Sequence, residues 1–286
     1  MTPLDVYYCG GSQVAGMGLP VTQALPVQVT RALRARWGRA LGHAYMLEYS
    51  GDPRDLERAL RGRRIPRPFI LVLVPRNVYV WGVPQLGDLR RSFRGVAAMD
   101  AAVMDDVQGH MAVPPPSPPA APLPNPPAAV PTGPPTLPLA RLKREAWLQA
   151  RAAAKALWYL AWLPTLPLWA LRYDRALRSL LRYARQAGCR LVALATPVPL
   201  RIGNPRTPGL HWYVALLAAY LRTQAGADVV VADLYARLLA PSREPLYFLH
   251  DRMVHLTTAG TQIAAAVVQA AIEQGAARRG LLRDTT

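Results

Sequence analysis

LDVYYCGGSQVAGMGL, residues 4–19, opens with a seven-residue apolar run that ends in a glycine pair, a serine and two further glycines. The run has the length and composition of a strand buried on both faces. Gly10, Gly11, Gly16 and Gly18 let the chain turn sharply and approach a ligand closely, and Ser12 presents a hydroxyl at that turn. An exposed nucleophile is built in this way. The same residues also read as a plain turn whose serine caps the next helix, so the rest of the chain has to decide between the two.

Four more short apolar runs lie downstream: HAYMLEYS (43–50), PFILVLVP (68–75), RLVALATP (190–197) and ADVVVADLY (227–235). Stretches with apolar residues at helical spacing lie between and after them, among them VTRALRARWGRAL (29–41), YVALLAAYLRTQ (213–224) and GTQIAAAVVQAAIEQ (260–274). Strands alternating with helices predict an α/β fold, a doubly wound parallel five-stranded sheet covered on both faces to give three α/β/α layers. Ligands of such sheets bind at the carboxyl ends of the strands, which is where Ser12 falls.

At 286 residues and 51% hydrophobic, the chain can bury a full core. Its net charge of +17 invites a nucleic-acid reading, since clustered cations gain affinity by releasing counterions from phosphates. The pattern of charge argues otherwise. Lys143 and Lys155 are the only lysines, the other basic residues are arginines spread over every segment, and no helix-turn-helix, zinc-finger or aromatic RNA-binding signature is present. The expectation is no nucleic-acid partner. Cys9 and Cys189 each lie in or beside a strand run and read as small buried hydrophobes, not a disulfide framework. The chain enters its first strand without a basic segment, apolar stretch and small-residue cleavage site, so a cytoplasmic location is expected.

Residues 114–138 hold thirteen prolines, too many for helix or ladder. The organisation expected is therefore residues 1–112 as the first part of one α/β domain, 113–139 as a flexible proline-rich insertion serving as a spacer, and 140–286 as the second part. The latter opens with two helical stretches interrupted by Pro164 and Pro167, read as a tryptophan-rich hairpin packed on the sheet. Residues 156–171 carry no charge and include Trp158, Tyr159, Trp162 and Trp169 between Lys155 and Arg172. They are too short and broken for a membrane span, and the other readings are a lid or a peripheral contact with a membrane surface.

Near the end, HDRMVHLTTAGTQIAA places His255 on the loop before a helix that Thr257 or Thr258 would cap. A fixed, accessible imidazole suits a general base, although a solvated loop histidine is the common case.

Taken in order, the segments resemble the SGNH (GDSL-type) hydrolase family, with blocks GDSxxxGxG, a second-block glycine, GxND and DxxHxxxxG. GGSQVAGMG stands at the first block with Ser12 as nucleophile. EYSGDPRDLERAL places Gly51 at the oxyanion glycine, VPRNV places Asn77 at the asparagine, and DRMVHLTTAG places His255 at the base; VADLYARL before it is also typical. The resemblance implies a flavodoxin-like arrangement of the sheet and a serine esterase or lipase-like enzyme acting on acyl or acetyl esters, of small molecules, lipids or carbohydrates. In such an enzyme the backbone N–H groups of Ser12 and Gly51 and the amide of Asn77 would form the oxyanion hole. No cofactor or metal is implied, because the histidines and cysteines show no ligand spacing. Three acids of the family pattern are absent: Gly11 replaces the acid of GDS, Val78 that of GxND, and Arg252 stands three residues before His255. Asp251, one residue further away, is the candidate to orient His255. The alternatives are a Ser12–His255 dyad and a catalytically silent module that binds a partner or a membrane surface.

Overall fold

In the computed structural model, the described residues are 2–11, 14, 16, 19–48, 52–76, 138–200, 210–242, 245–247 and 255–281. The five predicted strands are all present: β1 (Leu4–Gly10), β2 (Leu41–Glu48), β3 (Phe69–Leu73), β4 (Cys189–Ala195) and β5 (Val229–Ala232). They form one sheet in the order β2-β1-β3-β4-β5, with every neighbouring pair parallel. β1 and β3 are buried along their whole length, which is why they read as unbroken apolar runs and not as alternating ones.

The strands send alternate side chains to two cores. Val6, Tyr8, Ile70, Val72 and Ala193 meet α1 (Leu25–Trp37), α6 (Leu234–Leu239) and α7 (Thr258–Arg278) on one face. Tyr7, Cys9, Leu71, Leu73 and Leu194 meet α2 (Pro53–Arg61), α4 (Leu166–Gln186) and α5 (Leu210–Arg222) on the other. The result is the expected doubly wound α/β/α sandwich. Cys9 and Cys189 are free thiols; burial pushes both up, Cys189 to about 12, so neither is a thiolate near neutrality.

α7 buries one stripe, Gly260, Ala264, Val268, Ala271 and Gly275, and its small residues explain how it seats. An added Cβ on Gly275 would lie 2.7 Å from Leu191 Cδ1 and 2.8 Å from Val230 Cγ1, so the helix approaches the sheet more closely than any larger residue allows.

The tryptophan-rich segment departs from expectation. α3 (Pro138–Trp162) and α4 are joined by a single 3₁₀ turn, Leu163–Thr165, and Trp162, Thr165 and Leu166 all keep right-handed helical dihedrals. Among the described residues the two helices have no extensive contact beyond the turn itself, where Trp162 meets Trp169, so they form one kinked rod and not a hairpin. The physical reason lies in where the prolines fall. Pro164 and Pro167 sit in the first turns of the 3₁₀ segment and of α4, where an N–H has no intrahelical acceptor to lose. α4 packs on α2 and β4, and at the end of α3 Trp158 and Trp162 pack against the same core. The proline-rich insertion, 113–139, lies outside the described residues save for Pro138 and Leu139 at the start of α3.

Candidate active site

Parallel pairing puts the ends of three strands side by side. Gly10 pairs with Glu48 and Cys9 with Leu73, and the β1–β3 ladder continues one step as Val74 N–H donates to Cys9 O over 2.8 Å. The order β2-β1-β3 is where the winding reverses direction, the crevice in which such sheets bind ligands.

The turn after β1 is tight and needs its glycines. Val14 N–H donates to Gly11 O over 2.9 Å. The Val14 side chain then folds back over Gly10, where a Cβ would fall 2.2 Å from Val14 Cγ2 and 3.2 Å from Val74 O. Gly16 has φ +72°, the left-handed region.

An arginine that no sequence motif singles out lies at this turn. A Cβ on Gly11 would fall 2.3 Å from Arg76 Nε and 2.8 Å from Arg76 Cγ, so the Arg76 side chain, arriving from the end of β3, lies against Gly11. The residue before Ser12 and the residue before Asn77 are therefore neighbours. The sequence carried one signal of this, a glycine in place of an acid at position 11, but only the register of β1 against β3 identifies the partner.

Downstream of β2, the Asp52 side chain caps α2 by accepting from Arg54 N–H over 3.0 Å, and the Arg54 guanidinium binds the same carboxylate. Burial raises the Asp52 pKa, but these hydrogen bonds and the Arg54 charge outweigh it and hold the carboxyl below its ordinary range.

His255 is half-buried on a loop fastened at several points. Leu256 next to it forms an isolated antiparallel bridge with Tyr247, Thr257 N–H donates to Leu246 O over 3.0 Å, and Thr257 Oγ1 donates to Pro245 O over 2.6 Å. Thr257 Oγ1 also caps α7 by accepting from Gly260 N–H over 3.3 Å. Thr258 Oγ1 donates to Gln23 Oε1 over 2.7 Å, and Gln23 lies in the short 3₁₀ turn between β1 and α1. That bond ties the His255 loop to the chain that leaves the carboxyl end of β1.

Asp233, at the end of β5, serves a structural purpose. It caps α6 through Ala236 N–H, accepts from Thr196 Oγ1 over 3.1 Å and pairs with Arg222 over 2.7 Å. Of the five residues expected to build the site, His255 is described; Ser12, Gly51, Asn77 and Asp251 lie outside the described residues. Gly11 and Arg76 lie together at the carboxyl ends of β1 and β3, and Asp52 caps α2 just after β2.

The architecture defines a doubly wound three-layer α/β/α protein with flavodoxin-like strand order. No family model and no curated protein matches the sequence. Among solved structures, the chain is similar to a member of the lipolytic protein G-D-S-L family from Veillonella parvula, with TM-score 0.47 and 11% identity over 95% of this chain and 99% of that one. It is also similar to TesA, with TM-score 0.46 and 12% identity over 95% and 99% of the two chains.

Proposed function

We propose that the protein is a serine ester hydrolase of SGNH (GDSL) type, cleaving acyl or acetyl esters through an acyl-enzyme on Ser12. The observation that carries this reading is the convergence of flanking residues. The Arg76 side chain, from the end of β3, lies against Gly11 at the end of β1, and Thr258, three residues after His255, bonds Gln23 in the turn that follows β1. Ser12 follows Gly11, Asn77 follows Arg76, and Gly51 precedes the Asp52 cap of α2.

In this mechanism His255 accepts the Ser12 proton as Oγ attacks the ester carbonyl carbon. The backbone N–H groups of Ser12 and Gly51 and the Asn77 amide hold the oxyanion. Collapse of the tetrahedral species breaks the C–O bond, and the alcohol leaves with the proton from His255. Water, deprotonated by His255, then cleaves the acyl-enzyme and restores Ser12. Asp251 orients the imidazole and offsets its charge. A catalytically silent module is the second reading, and one observation favours it: a cationic side chain, Arg76, lies against position 11, where the family carries an acid.

Hydrolysis of p-nitrophenyl esters of graded chain length separates the two. Ser12→Ala and His255→Ala should each lower kcat by on the order of 10⁴-fold, with Asp251→Asn also lowering it strongly. Asp251→Asn within a few-fold of wild type would replace the triad by a dyad. No turnover of any ester by the wild-type chain would leave the silent reading.

A further inference from the structure

The α3–α4 rod is two-faced. Trp158, Trp162 and Trp169 are partly buried against the core on the α4 face of the sheet, with ring centroids 5.7 Å apart for Trp158–Trp162 and 5.6 Å for Trp162–Trp169 in edge-on geometry. On the opposite side Leu157, Leu160, Leu168 and Leu171 are 66, 56, 68 and 54% exposed. Leu157 and Leu160 lie one turn apart on α3, and Leu168 and Leu171 one turn apart on α4. A run of leucines this exposed requires a cover.

The charges beside the stripe identify that cover. Arg172 and Arg175, both exposed, follow Leu171 one and four residues on. With Leu168, Leu171, Arg54 and Glu57 they line a groove of about 580 Å³ between α4 and the first turn of α2. Leucines in line with arginines on one face, in a chain of net charge +17, match the two layers of an anionic bilayer surface, acyl boundary and phosphate. Because the opposite tryptophan face packs on the protein core, the rod would lie along an interface and not cross it.

We infer that the protein docks peripherally on anionic membranes through the leucine stripe of α3 and α4, with Arg172 and Arg175 at the headgroup phosphates. α2 begins where β2 ends, so this docking brings the carboxyl edge of the sheet near the lipid surface. Docking of this kind does not depend on the hydrolase reading, and it is tested on a Ser12→Ala chain, whose binding is indifferent to turnover.

Co-sedimentation with phosphatidylcholine vesicles, with and without phosphatidylglycerol, is the measurement. Binding should be confined to the anionic vesicles and weaken as salt rises. Arg172→Gln and Arg175→Gln should each reduce it about fivefold. Leu168→Asp with Leu171→Asp should reduce it about 100-fold or more, with unchanged circular dichroism and melting because both side chains are exposed. Equal binding to neutral vesicles, or none to either, would overturn the inference. So would self-association in light scattering that the leucine variants abolish while vesicles stay unbound, since the stripe would then be an interface between copies of the chain.

Discussion

A methyl group at position 260 would fall 2.3 Å from the carbonyl oxygen of Leu246, a backbone atom that cannot swing aside. At position 11 the added atom would fall equally close to Arg76, but there the neighbour is the side chain of a long, flexible residue. Gly260→Ala should therefore lose about 1–3 kcal/mol of stability by denaturant unfolding and, on the proposed function, lower kcat by displacing the His255 loop. Gly11→Ala should cost less than Gly260→Ala, because the atoms it meets belong to a side chain that can shift by rotamer change and not to the backbone. Equal losses for the two would contradict these contacts. Residue identity made Ser12 and His255 stand out as candidates, since glycines around a serine and a histidine before a capped helix have local meanings. The Arg76–Gly11 contact has none: it exists only through the pairing of β1 with β3, strands far apart in sequence.

At the scale of elements, the buried strands were legible because parallel strands covered on both faces leave runs with few alternatives, and their centres agree with the structure to within a few residues. The rod was not. Prolines end a helix when they fall in its interior but begin one when they fall in its first turn, and sequence spacing does not separate these cases. Helix capping carries a prediction here. Asp233 caps α6 while pairing with Arg222, and Asp228, before β5, pairs with Arg185 of α4. For Asp233, burial raises the pKa but Arg222, Ala236 N–H and Thr196 hold it below the ordinary carboxylate range; for Asp228 the Arg185 hydrogen bond is the main cause of the lowering. A lowered folded-state pKa contributes stability that is complete above the unfolded value and lost as pH falls through the folded one. Acid should therefore weaken the fold from about pH 4 downward. Asp228→Asn should flatten that limb of the stability curve, and Asp233→Ala should cost about 1 kcal/mol near neutrality. Urea unfolding at several pH values checks both, and an unchanged acid limb in Asp228→Asn would contradict the pairing.

Across the whole molecule, the strand order gathers the ends of β1, β2 and β3 at one edge of a sheet, and a leucine-and-arginine face lies on α4 next to α2. The architecture was readable from alternating runs. The reversal of winding between β1 and β3, which makes this edge a crevice, was accessible only through the family resemblance, because single strands carry no record of their neighbours. The whole functional proposal turns on Ser12 at this edge being a nucleophile activated by His255. A fluorophosphonate probe, which phosphonylates only an activated serine, tests it most directly. One adduct is expected, located to Ser12 by peptide mass mapping, absent in Ser12→Ala and strongly slowed in His255→Ala. A folded chain that takes up no label, or takes it up equally in Ser12→Ala, would contradict the proposal.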